Sequence, residues 1–281
     1  TAEERLLAFI GGKAESALLM DAFNILLEED IFRTNPQALE KLNGWVKARD
    51  ASRQPAAMYA MGSLLLEKDD LSGAVKMAEE GLSKYPQSLP VQILSLNTIT
   101  VLLDKNRLQD AERLISKYPG SSPDLVFQQG ALAFLKKDYS LAQKLFREAA
   151  RRASETTAEN ALFNENLAAL NANDASGAAA LIKEAAGSSR LRESILFEQA
   201  HYAAKRMAPQ AAELLANFIT LAETPALKTQ ARLDQVEVAL NLNPPDLETV
   251  QAILPLLEKE QLSPEQTMQL ARLNILEAES R

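Results

Sequence analysis

The sequence contains no cysteine, which excludes disulfides, thiolate metal ligands and thiol nucleophiles together. Aromatic residues make up only 5% of the chain, and alternating β-branched runs are almost absent, so little speaks for strands. Glycine and proline are sparse, at 10 and 12 residues of 281, and most stand between apolar periodic stretches, where they act as punctuation. Basic charge is in deficit, with 30 Lys and Arg against 38 Asp and Glu and a net charge of -8. That balance argues against a sequence-independent grip on nucleic acid or on an anionic membrane surface. No long apolar run occurs: Ala17 to Met20 and Thr98 to Leu103 are short and interrupted, so direct membrane insertion is not expected. Glycine-rich phosphate loops, paired-histidine motifs and serine nucleophile elbows are missing as well. The chain starts at Thr1 and not at Met, which gives the expectation of a processed or excised product.

What the sequence does hold is a period. Gly62 and Gly130 lie 68 residues apart, as do Ala74 and Ala142, which is twice 34. A 47% hydrophobic content recurring in that phase is the mark of a helical repeat array. From Pro55 the units run 55–88, 89–122, 123–156 and, after a two-residue insertion, 159–192 and 193–226. Each reads as helix, tight turn, helix, with turns at Lys68-Asp69-Asp70, Lys105-Asn106, Lys137-Asp138, Asn173-Asp174 and Arg206 to Pro209. Residues 1–54 form a divergent helical cap, with helices over Ala2 to Ile10, Ala14 to Glu29 and from Pro36 to about Arg49. Residues 227–281 carry a divergent helix pair broken at Asn243-Pro244-Pro245, then a terminal helix opened by Ser263-Pro264-Glu265-Gln266. The whole is expected to be one continuous domain.

Two runs carry a family resemblance: Met58, Met61-Gly62, Leu65, Ala74, Ala78, Gly81, Pro86, and Val126, Gly130, Ala133, Tyr139, Ala142, Phe146, Ala149. Their order of large, small and proline residues resembles the tetratricopeptide repeat. The resemblance implies an all-α fold, a right-handed α-solenoid of stacked antiparallel helix pairs. Small residues at helix crossings have a physical reason of their own, since they let two backbones approach. Two departures stand out. Ala111 falls three residues late relative to Ala74, which predicts that the pair is shifted or its second helix shortened, and Asn166 replaces the expected glycine.

One further stripe holds large apolar residues in five units: Tyr59, Ile93, Phe127, Phe163 and Phe197, separated by 34, 34, 36 and 34 residues. Four and seven residues on stand Ala131 and Phe134, Leu167 and Leu170, and His201, on the same face of each first helix. First helices line the concave surface in tetratricopeptide proteins, so the resemblance implies that these residues floor a groove for a protein or peptide segment. The same stripe is also what interhelical packing would produce, and both readings stay open.

The remaining candidates are weaker. His201 has no cysteine or carboxylate constellation beside it in the sequence, and is read as a groove-lining polar residue, neither catalytic nor metal-binding. Asn160, Asn164, Asn166 and Asn171 could bond an extended peptide backbone or serve locally. The run Glu28-Glu29-Asp30 reads as a solvated helix end. Tyr59 and Ser63 stand where the carboxylate-clamping tetratricopeptide domains have Lys and Asn, which disfavours a chaperone-tail adaptor.

The expected function is therefore a non-catalytic interaction scaffold without cofactors, holding an apolar or amphipathic protein segment. The alternative is a structural subunit of a coat- or targeting-type complex that binds through its termini and convex face. The alanine-rich, cysteine-free character is similar to that of bacterial envelope or secretion-associated repeat proteins, which makes the periplasm or envelope the expected compartment and the cytoplasm the alternative. Met268, Leu270, Leu273, Ile275 and Leu276 make the last helix too apolar for a simple solvent cap. Self-association through that helix, or a chain that continues beyond it, is expected.

Overall fold

A computed structural model describes residues 1–12, 16–48 and 50–280. Among them are seventeen α-helices and no strand. The helices group into two compact units, Thr1–Ala153 and Ser154–Arg281.

The first unit holds α1 (Ala2–Gly11), α2 (Ser16–Glu28), the single turn α3 (Ile31–Thr34) and α4 (Pro36–Lys47), then three helix pairs. These are α5 (Gln54–Glu67) with α6 (Leu71–Lys84), α7 (Leu89–Asp104) with α8 (Leu108–Lys117), and α9 (Pro123–Leu135) with α10 (Tyr139–Arg152). The expected start at Ala14 and end at Arg49 lie outside the described residues. The second unit holds α11 (Glu155–Asn171) with α12 (Ala175–Glu184), α13 (Ser189–Lys205) with α14 (Ala211–Leu221), α15 (Pro225–Leu240) with α16 (Leu247–Leu257), and α17 (Pro264–Ser280). Two unit boundaries differ from the count: α11 starts at Glu155 and α13 at Ser189, each about one helical turn earlier than 159 and 193. The two-residue insertion is absorbed by lengthening α11 to 17 residues, against 13 in α9.

The tight turns are one device used five times. Asp69, Asn106, Lys137, Asn173 and Met207 take the left-handed conformation, with φ between 51° and 64°. The next backbone N–H then reaches back over the helix end, from Asp70 to the Leu65 carbonyl at 2.9 Å, and likewise from Arg107 to Leu102, Asp138 to Ala133, Asp174 to Ala169 and Ala208 to Ala203. This is the Schellman closure, which satisfies carbonyls the helix leaves open. In three of the five turns an aspartate follows and caps the second helix: Asp70, Asp138 and Asp174 accept from the N–H groups of Gly73, Leu141 and Gly177. No glycine occupies the left-handed position, where a Cβ is unfavourable. Replacing Met207 with glycine is therefore expected to raise the stability of the second unit by about 1 kcal/mol. A higher urea midpoint at unchanged m-value would show it.

Alignment on these turns exposes a slip in the second pair. Seven residues before the left-handed residue stand Gly62, Ile99, Gly130, Asn166 and Ala200, all buried, and five after it Ala74, Ala111, Ala142 and Ala178, also buried. Ala111 thus holds its place, α8 has shortened to 10 residues as expected, and α7 has lengthened to 16. The glycines serve close approach. A Cβ on Gly130 would sit 2.9 Å from the Phe146 ring, and one on Gly62 would fall inside the Leu94 side chain. Asn166 replaces glycine by bonding across the crossing, its Oδ1 accepting from Gln199 Nε2 at 2.9 Å.

Apolar burial forms successive clusters within each unit. In the first, Phe23, Phe32 and Leu42 anchor the amino-terminal core, while Leu94, Ile99, Leu102 and Leu114 anchor the next. In the second, Leu215 and Phe218 pack under α13, and Leu233, Val250 and Leu273 join α15, α16 and α17. Ser263 and Gln266 close the expected reciprocal cap on α17, each accepting from the other's backbone N–H.

Candidate functional site: the faces of the first helices

The same alignment corrects the stripe. Ten residues before the left-handed turn residue stand Tyr59, Leu96, Phe127, Phe163 and Phe197. Leu96, not Ile93, is the counterpart of Tyr59, because the three extra residues of α7 lie between the unit start and that position. Ile93 is half-buried one helical turn earlier.

In the first unit, Tyr59, Leu96 and Phe127 come from α5, α7 and α9, which pack in that order. All three are half-buried, as are Ala131 and Phe134. Phe127 rests against the buried ring of Phe146, centroids 5.3 Å apart, and Phe134 meets Tyr139 edge-on at 5.3 Å. Tyr59 and Ser63 form one wall of a 340 Å³ cleft completed by Asn24, Leu27, Arg33 and Glu67. The Arg33 guanidinium pairs with Asp30 and Glu67, so it is not offered free to a ligand. Beside the aromatics, Gln128 donates to the Thr100 hydroxyl across α7 and α9 at 2.8 Å. The stripe is thus seated on the core while each ring keeps part of its surface open.

The second unit is built differently. Phe163 is half-buried against the core of Leu181 and Ile195, with Leu167 and Leu170 half-buried on the same helix. Phe197 is only 8% exposed. It packs on Phe218 at 5.5 Å and lies under the His201 ring, 5.5 Å away and 21° from parallel. Its role in packing exceeds any it has at a surface.

His201 is not isolated, contrary to the sequence reading. Its Nδ1 lies 2.5 Å from Oδ2 of Asp234 on α15, and Asp234 is 1% exposed. Gln230 Nε2 donates to the other Asp234 oxygen at 3.2 Å, with Lys205 Nζ 3.9 Å away. From there hydrogen bonds run to Gln269 and Gln266 on α17, and Lys205 and Gln269 both reach Glu237. The hydrogen bond to Asp234 holds the His201 pKa above its usual value, against the opposing effect of desolvation. Burial raises the pKa of Glu198 on the same face. The signal for the pair was present: Asp234 follows His201 by 33 residues, the offset that also joins Gln199 to Asn166 and Arg206 to Asn173.

Two of the asparagines spend their donors locally. Asn164 Nδ2 bonds the Asn160 carbonyl and Asn171 Nδ2 the Leu167 carbonyl, both at 2.8 Å. Glu28 and Glu29 are exposed at the end of α2, as expected. A 230 Å³ hollow between α13 and α14 was not foreseen. Leu196, Phe218 and Leu221 floor it, and Ser189 and Arg192 stand at its mouth. Among the described residues no group of three or more His, Cys, Asp or Glu is placed to hold a metal ion, and no helix is long and apolar enough to cross a membrane.

These features define an all-helical protein in which most helices come in pairs joined by tight turns. No family model, curated protein or solved structure matches the chain.

Proposed function

We propose that this chain is a non-catalytic interaction scaffold of tetratricopeptide type. In this reading the helix pairs of each unit stack as a right-handed solenoid segment, and the first-helix faces take up an apolar or amphipathic protein segment. The supporting observation is that Tyr59, Phe127, Phe134 and Phe163 are each half-buried: fixed by the core, yet open on one side. Aromatic rings held this way bury area on binding with little loss of side-chain entropy. Burial at about 25 cal/mol per Å² makes each such anchor worth roughly 2 kcal/mol before the costs of association. The net charge of -8 disfavours acidic partners such as nucleic acid.

The test is selection from a displayed peptide library, followed by fluorescence polarisation on the recovered sequences. They are expected to carry apolar residues at helical or alternating spacing. Phe127→Ser and Phe163→Ser are each expected to weaken binding about 30-fold, the equivalent of about 2 kcal/mol for an anchor. Because both rings are only half-buried, each change is expected to cost about 1–2 kcal/mol of stability, below the 3–5 kcal/mol of a core phenylalanine. Undiminished binding by both folded variants would refute this reading.

A further inference from the structure

The outer face of α17 carries a stripe of five apolar residues, Pro264, Met268, Ala271, Ile275 and Ala278, at alternating spacings of four and three. All five are exposed, Met268 at 71% and Ile275 at 61%. The opposite face buries Leu270 and Leu273 against α15 and α16, so this helix is apolar on two sides. A four-three alternation is the seam of a helix that packs along another helix. Beside the seam run Glu265, Arg272 and Glu279 on one flank and Thr267 and Asn274 on the other, all exposed. Glu265 and Arg272 stand seven residues apart, about 10 Å along the axis, beyond reach of each other. Neither makes an ion pair among the described residues.

We propose that this face docks on the same face of a second copy of the chain, α17 against α17, antiparallel about a two-fold axis. The flanking charges select the occupant and the register. With Met268 of one copy opposite Ala271 of the other, the larger side chain meets the smaller in both directions, and Pro264 meets Ile275. In antiparallel seams like flanks face each other. That register therefore sets Glu265 of each copy beside Arg272 of the other and Thr267 beside Asn274, closing two reciprocal ion pairs across a self-complementary patch. Sliding by one heptad toward the helix centre would place Arg272 against Arg272 and Glu265 against Glu279, which like-charge repulsion opposes. A parallel pairing would set charged flanks against neutral ones and gain no ion pair. A face about 25 Å long and about 10 Å wide falls below the roughly 1,200 Å² of a standard interface, so the dimer is expected to be concentration-dependent. The inference concerns a surface separate from the first-helix faces and stands or falls apart from them.

The experiment is sedimentation velocity on the chain across the micromolar range, with four variants. The unaltered protein is expected to pass from monomer to dimer. Met268→Glu and Ile275→Glu are expected to abolish the dimer without moving the thermal midpoint, since both side chains are exposed. Arg272→Glu alone is expected to weaken the dimer at least about tenfold by setting like charges together, and E265R with R272E is expected to restore it. A protein that remains monomeric throughout would overturn the proposal and leave the face to another occupant. So would a dimer indifferent to Arg272→Glu, or one that the double exchange fails to rescue.

Discussion

Replacing Asp234 with alanine is expected to cost the second unit about 1–3 kcal/mol, the usual penalty for leaving buried donors without their acceptor. Asp234 is 1% exposed and gathers His201, Gln230 and Lys205 around one carboxylate. Its loss leaves the donors of α13 and α15 without their shared acceptor and opens a hole between the helices. Asp234→Asn keeps an acceptor for His201 and is expected to cost less than half as much. Hydrogen exchange should show protection lost first in α13 and α15, which would separate this local effect from global unfolding.

The same pair gives the sign of the pH dependence. A histidine whose folded pKa lies above its unfolded value contributes stability that is complete below about pH 6.5 and is lost as pH rises through the higher folded pKa. Glu198 acts in the same direction at lower pH, because burial lifts its pKa above 4.5. Lys205 and Glu237 also stand on this face and pair with each other, with Glu265 and Arg272 of α17 lining the same cleft. The urea midpoint of the second unit is therefore expected to fall from pH 6 toward pH 9, and His201→Gln should flatten that slope. A midpoint that rises over this window would contradict the assignment of His201 as the charged partner.

The two kinds of residue met in this site differed in how legible they were. The turns were visible because left-handed backbone and helix capping demand particular side chains locally, and Asp69-Asp70, Asn106, Lys137-Asp138 and Asn173-Asp174 supplied them. Buried Ala74 and Ala142 and crowded Gly62 and Gly130 followed from the period for the same reason. Ile93 was misplaced because a count from the unit start cannot see three residues added inside α7; a count back from the turn finds Leu96. His201 was misjudged because its carboxylate lies one repeat away, on a neighbouring helix, where no spacing within a single helix reveals it. Burial also split the aromatic stripe. The sequence gives Phe127 and Phe197 the same phase, but only the packing of Phe218 and His201 shows that Phe197 is covered.

Gly62→Val is expected to destabilise the first unit by about 2–3 kcal/mol, although valine is the better helix former. Two effects oppose each other at this position, and a second glycine separates them. Gly44 lies exposed in α4, where an added Cβ meets nothing within 4 Å. Gly44→Ala should therefore return the full helix-propensity gain of about 1 kcal/mol. At Gly62 the same Cβ would fall inside the Leu94 side chain, where α5 packs on α7. Leu94 is fully buried and cannot swing aside, so the helices must separate and the overlap outweighs the propensity gain. Leu94→Ala alone is expected to cost about 2–5 kcal/mol through the cavity it leaves. Combined with Gly62→Val, part of that cavity is refilled, and the double variant should be more stable than the sum of the two losses by about 1–2 kcal/mol. Strict additivity in denaturant unfolding would mean that Gly62 is small for some reason other than the approach of α7.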